Sequence, residues 1–232
     1  MADSGKKGQG KIKMPEVKIF SVPFSLEESK ENIIISTNQS SKPSKEQIIN
    51  KALKLHSEGN ISQAANYFQF FIDQGFKDQR VYSHYGEILK NNGNLEEAKK
   101  NIKEAIKLNS NHSNDHSNLA SILIQQGQLY EARKEIEKAM ELNPSNEKAH
   151  LNLGAIFIYK GQFNEAEIST RKAIELNPDY AIAYFNLGHI LRAKGDIDEA
   201  LKCSRRSMSL KPWSILTSYT FNYRMKSNLS HN

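Results

Sequence analysis

His112 and His116 stand four residues apart with Asp115 between them, a spacing that sets two imidazoles on one helical face, where they could ligate a metal. Cys203, the single cysteine, has Arg205 and Arg206 close by, and positive neighbours lower a thiol pKa. No histidine is near Cys203 in sequence to act as its base, so a catalytic thiol is not expected. The chain has no HExxH, no paired cysteines and no glycine-rich phosphate loop between a strand and a helix. These residues predict a protein that is not an enzyme, with no cofactor and no metal.

Charge narrows the partners. The net charge of +6 divides into +2 for residues 1–44, −2 for 45–200 and +6 for 201–232. A nucleic-acid binder needs a basic stripe on its body, and the body has none, so no nucleic-acid partner is expected. The basic C-terminal stretch suits an acidic partner or simply a solvated end. No apolar run approaches the roughly 18 residues of a membrane span. The lysine-bearing start lacks an apolar segment behind it, and a lone cysteine fits a reducing compartment. A cytoplasmic protein is the expectation.

The elements that carry these residues announce themselves by period. Gly59, Gly93, Gly127, Gly161 and Gly195 fall 34 residues apart, and Ala64, Ala98, Ala132, Ala166 and Ala200 follow each by five. With each glycine as the fifteenth residue, the blocks are 45–78, 79–112, 113–146, 147–180 and 181–214. The first half of each block carries a bulky residue at position eleven (Leu55, Leu89, Leu123, Phe157, Leu191) and a small one at position eight (Ala52, Gly86, Ala120, Gly154, Gly188). Tyr85, Leu119, Leu153 and Leu187 add position seven, so one helical face is apolar. The glycine ends this helix in a left-handed cap. A second helix begins at Ile61, Leu95, Leu129, Phe163 and Ile197, and Leu108, Leu142, Leu176 and Leu210 close its later copies before Pro144, Pro178 and Pro212. Small residues at positions eight and twenty predict close antiparallel pairs. His116 and His150 share position four, against a neighbouring helix, which favours a structural role over metal ligation.

The pattern, clearest in AHLNLGAIFIYKGQFNEAEISTRKAIELNP at 149–178, resembles the tetratricopeptide repeat (TPR) family over residues 45–214. The resemblance implies an all-α, right-handed α-solenoid of about five helix-turn-helix repeats. It also implies a groove lined by positions two, five, six, nine and twelve or thirteen of the first helices. Position six reads His84, Asn118, Asn152, Asn186, and its three amides form a line similar to the asparagine ladder of O-linked N-acetylglucosamine transferase arrays, which hold extended peptides; the wider sequence also resembles bacterial TPR-array proteins. Arg80, Lys148, Tyr159 and Arg192 would decorate the same groove. The carboxylate clamp of chaperone adaptors needs lysine at position five and asparagine at nine; Ser83 and Glu87 stand there in the second block, and the clamp is absent.

The ends depart from the repeat. Phe71 replaces a small residue and Phe76 replaces proline, which suits aromatics filling the end of the core. Leu216, Tyr219 and Tyr223 predict a capping helix within 215–232. Residues 1–44, rich in Ser, Lys, Gly and Pro, predict a disordered or loosely ordered tail, with Phe20, Val22, Phe24 and Leu26 alternating like a strand that docks on the array. The function expected is a protein-interaction scaffold holding an extended polypeptide in the groove. Alternatives are an accessory or targeting subunit of a separate glycosyl- or sulfo-transferase and, less favoured, an RNA-binding repeat.

Overall fold

A computed structural model describes the backbone of Ile19–Phe20 and Ile33–Ile34 and all of residues 43–210. The expected capping helix at 215–232 and the alternation from Val22 to Leu26 lie outside the described residues. Two-residue strands β1 (Ile19–Phe20) and β2 (Ile33–Ile34) pair antiparallel, Ile19 opposite Ile34 and Phe20 opposite Ile33. Phe20 opens the alternation expected of a strand, whereas no sequence signal points to β2.

Contacts divide the chain into two units, Met1–Lys77 and Asp78–Asn232. In the first, α1 (Lys45–Ser57) pairs with α2 (Ile61–Asp73). A capping box starts α1: Ser44 Oγ accepts from Gln47 N–H at 3.2 Å while Gln47 Oε1 accepts from Ser44 N–H at 2.8 Å. Ala52 and Ala64 let the pair close, and Phe68 and Phe71 fill the space beyond. Phe76 meets Phe71 edge-on at 5.3 Å, and Lys45 Nζ sits 4.5 Å from the Phe76 ring centre. The aromatics that break the repeat thus fill the core as expected.

The second unit contains eight described helices: α3 (Gln79–Asn91), α4 (Leu95–Leu108), α5 (Ser113–Gln125), α6 (Leu129–Leu142), α7 (Glu147–Tyr159), α8 (Phe163–Leu176), α9 (Ala181–Lys194) and α10 (Ile197–Leu210). They pair in order, α3 with α4 through α9 with α10, and each second helix packs on the next first helix. Consecutive first helices also touch one another, and the second helices make no comparable contact among themselves. The first-helix side is therefore the tighter side of this unit.

Each turn obeys the glycine rule, with φ of 71° at Gly161 and 94° at Gly195, a region closed to most L-residues. Close approach within a pair rests on the small residues. A methyl group on Gly86 would lie 2.7 Å from Ile102 Cδ1, and one on Gly154 would lie 2.6 Å from Thr170 Oγ1. Around these contacts Ile102, Ile122, Ile136, Ile156 and Ile190 are fully buried, each contributing about 1.5–3 kcal/mol. The all-α repeat architecture read from the sequence is the architecture found.

Candidate functional site

Two polar clusters occupy the first-helix side of the second unit, and they differ in what their groups are used for. The deeper one joins α3, α5 and α7. Asp115 is fully buried (0% exposed) on α5. It accepts from Gln79 Nε2 at 2.5 Å and from Ser83 Oγ, both on α3, and lies 2.9 Å from His112 Nδ1. Ser83, Asp115 and His112 are the residue types of a hydrolytic triad in the wrong order. The hydroxyl donates to the carboxylate, and no hydrogen bond joins it to the imidazole, whereas an activated serine donates to its histidine. Asn146 does the same joining one repeat on. Its Oδ1 caps α7 through Ala149 N–H at 2.9 Å and accepts from Ser117 Oγ at 3.2 Å, while its Nδ2 donates to Ser113 Oγ and Asn114 Oδ1. Position five, which the family resemblance assigned to the groove, is instead buried between first helices, at Ser83, Ser117 and Leu151.

The histidines fall into the same structural class. His116 Nδ1 is 2.7 Å from Glu135 Oε2 on α6, and Nε2 is 3.0 Å from the Ser110 carbonyl. The Glu135 hydrogen bond raises the His116 pKa against the opposing effect of burial. Among the described residues no group of three metal-ligating side chains exists. At Cys203, burial pushes the thiol up, with Glu199 adding to the rise and Arg171 opposing it. Arg206 instead pairs with Asp179 at 3.1 Å.

The shallower cluster gathers side chains from α3, α5 and α7 and from the residue capping α9. Glu87 Oε1 on α3 accepts from Lys148 Nζ on α7 at 3.0 Å, the two side chains being 27% and 28% exposed. Lys90, one turn beyond Glu87, reaches Asn118 Oδ1 on α5 at 3.5 Å. Burial depresses the Lys90 ammonium, Glu87 holds it up and Lys148 pushes it further down. Burial raises the Glu87 carboxyl, but Lys148 and Lys90 outweigh it and leave it below its ordinary value. His84 adds to that lowering from the next turn of α3. Tyr180, at the N-cap of α9, has its phenol pushed far up, first by burial and then by Glu147 and Glu87.

Of the residues singled out from the sequence, His84, Asn118 and Lys148 meet in this cluster. Asn118 is only 2% exposed and serves Lys90. Asn152 donates Nδ2 to the Ser117 carbonyl at 2.8 Å, tying α7 to α5. Two rungs of the asparagine line therefore hold repeats together, and Asn152 and Asn186 are half-buried. Arg80 folds back on the N-cap of its own helix, its Nε and Nη2 3.0 and 2.9 Å from the two Asp78 oxygens. Tyr159 is half-buried at the end of α7, and Arg192 is exposed in the last turn of α9. Glu87, Lys90 and Tyr180 were missed. Glu87 and Lys148 are 61 residues apart, which is two repeats forward and two helical turns back, a pairing visible only to a reading that stacks the repeats.

Models of the tetratricopeptide repeat match residues 79–112, 147–180 and 170–202, and one described as TPR repeat matches 120–161. No curated protein is a significant match to the sequence. A crystal structure of a thermophilic TPR protein from Thermus thermophilus is 17% identical with a TM-score of 0.63, covering 78% of this chain and 99% of that one. MamA from Desulfovibrio magneticus RS-1, residues 41 to the end, is 20% identical with a TM-score of 0.53, covering 74% and 98%. At these identities the likeness is one of fold.

Proposed function

Because the chain belongs to the tetratricopeptide repeat proteins, whose fold is generally a non-catalytic protein-interaction module, we propose that it is a scaffold holding an extended polypeptide along the first-helix side of its second unit. One observation carries this reading. Polar and charged side chains from α3, α5 and α7, with the N-cap residue of α9, converge on that side beyond the groups that join the repeats. A solvated surface has no reason to bury half of a Lys–Glu–Lys set; a surface awaiting a partner does. An extended chain lying across successive first helices would meet Glu87, Lys148, the half-buried Asn152 and Asn186, then Tyr159 and Arg192, and could bond amides without reading sequence. The absence of a basic stripe on the body favours polypeptide over nucleic acid. Among the described residues no helix is long and apolar enough to cross a membrane.

The test is selection of a displayed peptide library on the purified protein, followed by binding measurements on Asn186→Ala and Arg192→Ala. Asn118 and Asn152 are unsuitable targets because each bonds within the array. Peptides that lose at least about fivefold in affinity in either variant, a loss of roughly 1 kcal/mol, support the groove. Selected peptides whose affinity ignores both substitutions move the binding surface elsewhere.

A further inference from the structure

The last described helix, α10, bares a face that its counterparts in the second unit cover. In each earlier pair of that unit the second helix packs on the next first helix. Leu95, Leu129 and Phe163 open those second helices and are half-buried, as are Ile106, Met140 and Ile174 eleven residues later. Ile174 lies against Leu187 and Leu191 in the core of the next pair. Its counterpart in α10, Met208, is 52% exposed, as is Ile197 at the start of the helix. Leu201, 51% exposed, stands between them, and spacings of four and seven put all three on one stripe.

Leu201 also breaks the period. Earlier repeats hold Lys99, Arg133 and Glu167 at its position. Lys99 Nζ donates to Gln126 Oε1 and Gln128 Oε1 at 3.0 and 2.7 Å, just past the end of α5. Glu167 accepts from Lys194 Nζ, at the end of α9, at 2.6 Å. A leucine cannot tie its helix to a following repeat in this way. Arg205 is affected by the same change. Its counterpart Arg171 pairs with Glu167 at 2.9 Å and with Glu199 at 2.8 Å, whereas Leu201 stands one turn before Arg205. The ion pairs of α10 are Glu199 with Arg171 and Arg206 with Asp179, so among the described residues Asp198 and Arg205 have none. Both lie along one edge of the apolar stripe.

We propose that this face of α10 joins two copies of the chain, antiparallel about a two-fold axis. The stripe is self-complementary in that arrangement. Reversing α10 about the middle of the stripe sets Ile197 opposite the partner's Met208 and brings the two Leu201 side chains together. The same reversal leaves Asp198 offset by only about 3 Å along the axis from the partner's Arg205, at a rise of roughly 1.5 Å per residue. Both lie on the same edge, and the contact occurs twice. A parallel pairing would put the two edges on opposite sides and join neither charge. Apolar burial supplies the affinity, since an exposed ion pair contributes little; the charges fix the orientation. A contact of this kind closes on itself, so the product is a dimer and not a filament. The interface lies on a second helix and stands apart from the groove reading.

The test is analytical ultracentrifugation of the full chain between about 1 μM and about 0.5 mM. The parent is expected to show a reversible monomer–dimer equilibrium. Leu201→Glu reinstates the type of carboxylate that pairs with Arg171, so it should keep its helix by circular dichroism and weaken dimerisation at least about tenfold. Asp198→Arg and Arg205→Asp each set like charges across the axis and should weaken it at least about fivefold. An equimolar mixture of those two variants should recover the dimer, because each supplies the charge the other lacks. Ile168→Ser removes an apolar residue that is 72% exposed on α8, off this face, and should change nothing. Met208→Gln takes the place of Leu201→Glu if that variant loses helix. A parent that stays monomeric throughout overturns the proposal, whether the face is bare or covered by residues 211–232 of the same chain. So does a dimer that tolerates Leu201→Glu with its helix intact, or a mixture of charge variants no more associated than either alone.

Discussion

Gly86→Ala puts the close approach of α3 and α4 to a quantitative test. The added methyl would stand 2.7 Å from Ile102 Cδ1, 2.8 Å from Cγ1 and 3.3 Å from the Ala98 carbonyl oxygen. Carbon atoms at best contact are about 3.5–4.0 Å apart, so either Ile102 or the helix must move. Ile102 is fully buried, so its movement would disturb the surrounding core. Overpacking of this kind costs about 1–3 kcal/mol, and replacing glycine by alanine inside a helix returns about 1 kcal/mol of propensity. The expected net is a destabilisation of about 0–2 kcal/mol, too broad to decide the matter by itself.

The decisive quantity is the coupling with Ile102. Ile102→Ala alone empties a buried site and costs about 2–5 kcal/mol. In Gly86→Ala/Ile102→Ala the new methyl enters space that the isoleucine vacated, so its steric cost vanishes and the propensity gain remains. The double variant should be more stable than the sum of the singles predicts by at least about 1 kcal/mol. Gly188→Ala is the internal control. Its methyl meets nothing closer than 3.2 Å, the Ala200 carbonyl oxygen and Ser204 Oγ, so it should be near neutral. Urea unfolding followed by far-ultraviolet circular dichroism measures the four variants against the parent. Strict additivity in the cycle, or equal costs at Gly86 and Gly188, would refute the claim that Gly86 sets the separation of α3 and α4.

Two further outcomes follow from buried polar groups. Thr170 Oγ1 is buried without a hydrogen-bond partner among the described residues, so Thr170→Val, of the same shape, should stabilise the protein by about 1 kcal/mol in the same unfolding assay. His116 has its folded pKa raised above the unfolded value near 6.5. Its stabilising contribution is therefore complete below that value and fades as pH rises through the folded pKa, and His116→Gln should cost more stability at about pH 5.5 than at about pH 8.

The sequence made the helices legible because each depends on residues close in the chain. Gly127 can end α5 only in the left-handed region, and Leu142 closes α6 before Pro144 regardless of what packs on it. Phe71 and Phe76, five apart, signalled aromatics filling the end of the core, where they meet edge-on. Position five was misread because its burial depends on the next repeat. Ser83 looks like a surface serine until Asp115, 32 residues on, is seen to receive its hydroxyl. Glu87 was visible only as the residue that spoils a known clamp. Its partner lies 61 residues away, and no local period points from one to the other.

That difference bears on how a groove should be read in a repeat protein. Asparagine at position six looks like a ligand-binding line because it recurs, but recurrence is also what stacking requires. Asn118 and Asn152 recur and are used by the neighbouring helix. A residue required by stacking must appear in successive repeats, since every junction poses the same problem. A residue that binds a particular ligand need appear only where the ligand contacts it. Glu87 and Lys90 do not recur: position nine is otherwise Leu53, Ser121, Ala155 and His189, and no repeat but the second carries the Glu87–Lys90 arrangement. In an array built from identical solutions, the side chains that break the period while remaining half-buried are the ones whose presence the fold does not explain.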